Sequence, residues 1–276
     1  MTLTGKVAVV TGASMGIGEA IARRFARTGA AVVLTSRDQA RAEAARARMP
    51  APERTLALAC DVRNREEIDH LLSLTLHNFG RVDVWVNNAG HGLQDSVAAM
   101  DMAQCRALFD TNLFGAIECM QAVIPVMKRQ GSGTIINISS VAGHIALPYS
   151  AAYCASKFAM NAIGKAAHVE LLGTGVHVMT VCPGFIATDF ADNAIKGRER
   201  MRLNRARDAG ISAERVAAAV LRGYQKQKRE VVVPWKDHIG IKFYQLFPRL
   251  VEHFIAGMLR PADEVMAEAR KARESH

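Results

Sequence analysis

Short apolar runs recur along the chain between longer stretches in which apolar positions repeat every three or four residues. The runs at 7–10, 31–35, 56–60, 82–86, 134–138, 177–181 and 231–233 are apolar on both faces, the mark of strands covered on both sides. The stretches between them predict helices: one ending at Gly29, then 38–49, 64–79, 102–127, 151–172 and 212–227. Asn64 caps the third of these with Glu67 three residues on, Ile68, Leu71, Leu72, Leu76 and Phe79 share one face, and Gly80 ends it. Ser212 caps the last. Seven strands alternating with helices predict a doubly wound α/β fold, a seven-stranded parallel sheet with helices on both faces. With no repeat or low-complexity linker, 1–234 reads as one domain and 235–276 as an amphipathic helical extension.

Composition narrows the class. The chain has 276 residues, 50% of them hydrophobic and 22% charged, enough to bury a core without disulfide or metal staples and too apolar for general disorder. No apolar run reaches the roughly 18–20 residues that cross a bilayer, and the first residues lack the features of a signal peptide, so a cytoplasmic location is expected. Five cysteines, an odd number without CxxC spacing, predict reduced thiols and no metal site. A net charge of +9 admits an acidic partner. The basic residues are mostly interspersed with acids, and no nucleic-acid module is present, so no nucleic-acid partner is expected.

The first strand runs into T-G-A-S-M-G-I-G at 11–18 and then a helix. A glycine-rich turn there aims backbone N–H groups and a helix N-terminus at one point, a site suited to a pyrophosphate. Gly12 permits the tight turn, Gly16 close backbone approach and Gly18 packing of helix on strand. Ser14, Met15 and Ile17 complete the cradle. The spacing is G-x-x-x-G-x-G, not G-x-G-x-x-G.

Further motifs stand in order behind this turn. Asn87-Asn88-Ala89-Gly90 follows the fourth strand, Ser140 precedes Tyr153 by 13 residues, Tyr153 and Lys157 form Y-x-x-x-K, and Pro183-Gly184 follows the sixth strand. Over about 5–234 the chain resembles the short-chain dehydrogenase/reductase family. The resemblance implies a Rossmann-type fold, a nicotinamide-dependent oxidoreductase and a homodimer or homotetramer. It also implies that Asn112 holds a water linking Lys157 to solvent, and that Tyr153 and Lys157 contact the cofactor, Lys157 through the nicotinamide ribose. Asn88, Ala89 and Gly90 then line the cofactor channel. Asp61 and Val62 meet the adenine, although Asp61 equally suits a plain turn before a helix. Pro183, Gly184, Ile186 and Thr188 flank the nicotinamide.

Tyr153 and Lys157, four apart on a helix, share a face. A phenol has a pKa near 10, and a nearby ammonium is expected to lower it, so that Tyr153 exchanges a proton with a carbonyl or alcohol oxygen. Ser140 donates to the same oxygen, with Ser139 its rival in sequence. Outside this context Tyr153 and Lys157 would read as a surface pair and Asn112 as bonded to neighbouring backbone.

After the second strand come Ser36 and Arg37 in place of the carboxylate that holds a ribose 2'-hydroxyl. A hydroxyl and a guanidinium suit a 2'-phosphate, so NADP(H) is expected, with NAD the alternative. Asp38, the counterargument, reads as a helix cap. The expected reaction is hydride transfer between nicotinamide C4 and a carbonyl or secondary alcohol; the alternative is a sensor that binds NADP without turnover.

Leu93, Ile145, Leu147, Tyr149, Phe185 and Phe190 suggest an apolar or mixed substrate, with His91 and His144 as satisfied loop histidines. Arg198, Arg200, Arg202, Arg205 and Arg207 form either a solvated helix or a handle for an anionic substrate. In the extension, Ile239, Phe243, Leu246, Phe247, Leu250, Val251, Phe254, Ile255 and Met258 recur at helical spacing, and Pro248 breaks the stretch or starts a second helix. A subunit contact is favoured for it over a pocket cap or membrane-surface contact at 239–260.

Overall fold

The structure, a computed structural model, describes residues 2–188, 190, 193–198 and 210–259. The first half runs β1 (Val7–Val10), α1 (Gly16–Arg27), β2 (Ala31–Ser36), α2 (Gln39–Ala47), β3 (Thr55–Ala59), α3 (Arg65–Phe79), β4 (Val84–Asn87) and β5 (Leu93–Gln94). The second runs α4 (Met102–Phe109), α5 (Gly115–Gln130), β6 (Gly133–Ile138), α6 (Ala151–Glu170), β7 (Val176–Pro183), β8 (Ile195–Lys196), α7 (Ala213–Gln225), β9 (Glu230–Val233), α8 (Trp235–Leu246) and α9 (Pro248–Leu259).

Seven strands form one parallel sheet in the order β3-β2-β1-β4-β6-β7-β9. The chain winds outward from β1 to β3, then returns to add β4 on the other side of β1. The carboxyl ends of β1 and β4 therefore flank the switch point, where open sheets of this kind hold ligands. Val10 pairs with Val86, which sets the glycine turn beside the Asn88 loop. On one face Val10, Val32 and Leu34 pack under Ile21 and Phe25 of α1 and Val216 and Val220 of α7. On the other, Val9, Val33 and Trp85 pack under Ile68 and Leu71 of α3 and Val123 and Met127 of α5.

The expected caps are in place. Asp38 accepts from the Arg41 N–H at 3.1 Å, Asn64 from Glu66 at 3.0 Å and Ser212 from Arg215 at 3.3 Å. Glu67 departs from the capping box: its carboxylate accepts from the Asp61 N–H at 2.8 Å and ties the end of β3 to α3.

The helix expected at 102–127 is instead two. A π-helical turn at Asp110–Phe114 separates α4 from α5. The apolar period runs through the turn, so the pattern carries no mark of the break. The small pair β5–β8 was not expected. Pro248 opens α9, a position that suits a residue without an N–H. Among the described residues no helix is long and apolar enough to cross a membrane.

Candidate active site

The three motif glycines do different things. Gly12 and Gly16 lie at φ +61° and +60°, where side chains are strained. A Cβ on Gly12 would stand 2.8 Å from the Ala89 Cα, and one on Gly18 would meet the Asn88 amide and come within 2.6 Å of the Gly12 carbonyl oxygen. Those two glycines serve packing. A Cβ on Gly16 would meet nothing nearer than Thr188 Cγ2, at 4.0 Å. Gly16 therefore borders open room between the turn and the loop after β7. Met15 precedes α1 in extended conformation, and no side chain caps the helix there. An uncapped N-terminus beside that room fits a pyrophosphate. Ile17 packs against the core below, and the Ser14 carbonyl accepts from Arg48, which also pairs with Glu19.

Asn88 is spent on the turn. Its side-chain amide donates to the carbonyls of Thr11 and Gly12, both at 2.9 Å. Thr11 Oγ1 accepts from the N–H groups of Asn88 at 3.0 Å and Ala89 at 3.1 Å. A Cβ on Gly90 would stand 2.9 Å from Asn112 Oδ1.

At the end of β2, Ser36 is buried and Arg37 exposed. The Arg37 charge lowers the pKa of both Asp61 and His91, though for neither is it the largest cause. Asp61 is engaged by Arg63, with Nη2 at 2.5 Å from its carboxylate, and these hydrogen bonds hold it below the usual carboxylate range. Val62 is buried, with its carbonyl 2.6 Å from where a Gly115 Cβ would sit, so it is largely a core residue.

Tyr153 and Lys157 share the inner face of α6, with Nζ 5.7 Å from the phenol ring centre. Ser140, just past the end of β6, is close enough to the Tyr153 phenol to act on its pKa. Ser140 Oγ also accepts from the Ala142 N–H at 3.1 Å and donates to the Pro183 carbonyl at 3.4 Å. Ser139 instead donates to the Lys157 carbonyl at 3.2 Å, which separates the two serines.

The expected fall in the phenol pKa is not what the geometry gives. Burial pushes Tyr153 up to about 12, partly opposed by Ser140, and pushes Lys157 down to about 8. Lys157 is buried and Tyr153 partly so, and Nζ is turned to the Ile138 carbonyl at 2.9 Å.

Asn112 lies buried in the π-helical turn. It accepts from the His91 N–H at 2.9 Å and donates to the His91 carbonyl at 2.9 Å and Ser156 Oγ at 3.3 Å. Its bonds thus reach the residue before Lys157 and the loop after β4. The loop after β7 is pinned: Gly184 N–H donates to the Val233 carbonyl at 2.7 Å, and Ile186 bridges to Ile211. A side chain on Gly184 would collide with the Asp237 carboxylate. Thr188 is thereby held opposite Gly16, and the Phe190 ring lies 5.7 Å from Tyr153.

Burial pushes the His91 pKa down, and its ring lies 3.4 Å from the Gly92 carbonyl, a satisfied loop position. Leu147, Cys154 and Phe158 face Tyr244 and Glu252 of the tail across a cavity of about 530 Å³. Arg198 is described, but Arg200, Arg202, Arg205, Arg207 and everything from 260 onward lie outside the described residues. The reading of the sequence missed Thr11 and Ser156 as supports. Thr11 stood inside the glycine motif, and only its burial reveals what its hydroxyl does.

The short chain dehydrogenase family matches this chain over residues 6–199. The ketoacyl reductase HetN of Nostoc sp. is 36% identical over 235 residues, 84% of this chain and 79% of that protein. A short-chain dehydrogenase/reductase from Burkholderia phymatum, solved with NAD, superposes with a TM-score of 0.84 at 25% identity, covering 91% of this chain and 96% of that one. A metagenomic short-chain oxidoreductase solved with NADP gives 0.70 at 36% identity, covering 84% and 98%. With its parallel sheet, glycine turn and Tyr153–Lys157 pair in this setting, the chain belongs to the short-chain dehydrogenase/reductase family and is an oxidoreductase of that family.

Proposed function

We propose that this chain interconverts a carbonyl and a secondary alcohol with NADP(H), and that Ser140, Tyr153, Lys157 and Asn112 carry the reaction. The observation behind this reading is the convergence of Ser140 and Tyr153 beside a buried ammonium and opposite the open glycine turn. When bound, the nicotinamide supplies or accepts a hydride at C4. A phenol raised to about 12 is protonated at neutral pH, so Tyr153 gives its proton to the carbonyl oxygen as the carbon is reduced. Ser140 donates a hydrogen bond to the same oxygen as negative charge builds there. Lys157 has three donors, one of them on Ile138, which leaves two for ribose hydroxyls. Asn112 lies on the route by which a proton returns from solvent.

The preference for NADP(H) rests on Ser36 and Arg37, and it is supported by the Asp38 carboxylate being occupied as the cap of α2. The ketoacyl reductase relative supports a carbonyl substrate. We favour a homodimer or homotetramer, with the exposed face of Trp235, Ile239, Phe243, Leu246, Leu250 and Phe254 as a subunit contact. Side-by-side fluorescence titration with NADPH and NADH, followed by turnover on a carbonyl panel, tests the proposal. Tight NADPH binding with turnover supports it. Binding without turnover on any substrate favours a sensor.

A further inference from the structure

Just behind Ser140, three donor groups of different chemistry converge outside the residues assigned to catalysis. His144 Nε2 lies 2.7 Å from Glu230 Oε1 and 3.5 Å from Cys182 Sγ, and Cys182 Sγ lies 3.9 Å from Glu230 Oε1. His144 belongs to the segment after β6, Cys182 to β7 and Glu230 to the edge strand β9. The pairing of β7 with β9 fixes two of the three relative to each other. Cys182 is buried and His144 nearly so, while Glu230 is a third exposed and offers a way in. The Asn161 side chain closes the inner side, with Oδ1 3.8 Å from the sulfur.

We propose that His144, Cys182 and Glu230 form a binding site for a thiophilic divalent cation of the zinc(II) class, with a water or Asn161 Oδ1 in the fourth place. Zinc distances of about 2.3 Å to sulfur and 2.0–2.2 Å to nitrogen and oxygen put tetrahedral donors roughly 3.3–3.7 Å apart. The histidine–cysteine distance already falls in that range. The cysteine–glutamate distance is slightly wide, and the histidine–glutamate distance must open by about half an ångström, a shift open to a partly exposed carboxylate on an edge strand. On binding, the thiol releases its proton to solvent. Thiolate, carboxylate and neutral imidazole then balance a divalent charge. A mixed sulfur, nitrogen and oxygen set suits zinc and disfavours magnesium or calcium, which take oxygen ligands.

The site adjoins the catalytic centre. His144 follows Ser140 in one segment, and Cys182 precedes Pro183, whose carbonyl accepts from Ser140. A bound ion would clamp the two segments that hold Ser140.

The test is titration of the metal-stripped full chain with cobalt(II), then displacement by zinc(II). The expected result is one ion per chain, a thiolate-to-cobalt charge-transfer band, loss of that band in Cys182→Ser, and at least 10-fold weaker binding in His144→Gln and Glu230→Gln. Zinc-edge X-ray absorption on the wild type, expected to show one sulfur neighbour, keeps the question answerable if Cys182→Ser does not fold. No charge-transfer band, a band that survives in folded Cys182→Ser, or a zinc shell without sulfur overturns the proposal in favour of a closed His144–Glu230 pair with Cys182 as neutral packing. None of these readouts depends on turnover.

Discussion

The Asn88 side-chain amide donates to the Thr11 and Gly12 carbonyls at 2.9 Å each, across the junction of β4 and β1. The glycine turn is therefore held from the far side of the switch point and not by its own strand alone. Thr11 returns the favour through its hydroxyl, which accepts the N–H groups of Asn88 and Ala89. Two loops distant in sequence are locked together, and the open room beside Gly16 is what they leave between them.

Gly16→Ala and Gly18→Ala should therefore differ in kind. A methyl on Gly18 meets backbone at 2.6 Å and the Asn88 amide, so it should cost about 1–3 kcal/mol of stability. A methyl on Gly16 meets no protein atom closer than 4.0 Å. It carries about 1–2 kcal/mol of left-handed strain and also fills the cradle. The expected outcome, from urea unfolding and NADPH titration on both variants, is that Gly18→Ala loses mainly stability. Gly16→Ala should lose affinity beyond what its stability loss explains. Equal losses on both scales in the two variants would falsify the division of roles.

Much of this architecture is legible in the sequence because its causes are local. Doubly covered strands must be apolar on both faces, so all seven strands of the main sheet stand out. Asp38, Asn64 and Ser212 cap helices through bonds to N–H groups two or three residues away, within the reach of a sequence pattern. What is not legible depends on distant partners. The π-helical turn at Asp110–Phe114 keeps an unbroken apolar period, while its Asn112 bonds to His91 across 21 residues. Four-residue spacing puts Tyr153 and Lys157 on one face but says nothing of their burial, and burial sets the direction of both pKa shifts. His144, Cys182 and Glu230 meet only because β7 and β9 are neighbours in space.

Arg37→Ala should weaken NADPH binding about 10- to 100-fold and leave NADH binding nearly unchanged. A charge-assisted contact to a phosphate contributes about 1.5–3 kcal/mol, and only NADPH carries the 2'-phosphate. Arg37 is exposed at the end of β2, and its removal disturbs no core packing. Asp38 offers no competing carboxylate while it caps α2. Parallel titrations of the two cofactors decide the matter, and equal weakening of both would reject the phosphate contact.

Lys157 predicts a pH dependence of stability. Its folded-state pKa, about 8, lies below its ordinary value of 10.5 because burial disfavours the ammonium. Between those values the unfolded chain binds more protons than the folded one, so this group makes stability rise with pH through that window. Below pH 8 the full penalty of about 3 kcal/mol is in force. Lys157→Met keeps the length of the side chain and removes the charge. Relative to that variant, the wild type should gain about 3 kcal/mol as pH rises from 8 to 10.5. Urea unfolding of both proteins across that range measures it, and parallel curves would show that burial does not govern this lysine.

Tyr153→Phe and Ser140→Ala separate the proton donor from the group that steadies the oxygen. Removing the phenol hydroxyl deletes the proton source, and a positioned acid contributes roughly 10²- to 10⁴-fold in rate. Ser140→Ala leaves that source in place but removes a donor to the developing charge and frees the Pro183 carbonyl. It also removes the Ser140 side chain that pulls the Tyr153 pKa down, so burial acts on the phenol unopposed. In reductive turnover, Tyr153→Phe should therefore lose kcat by at least about 10²-fold at every pH, since no substitute acid stands at that position. Ser140→Ala should lose less, and the loss should be flat across neutral pH because its phenol stays protonated throughout. Both should still bind NADPH, for neither side chain reaches the glycine turn that holds the pyrophosphate. Stopped-flow hydride transfer at several pH values resolves the two patterns. A Tyr153→Phe enzyme that turned over like the wild type would move the proton donor away from α6 altogether.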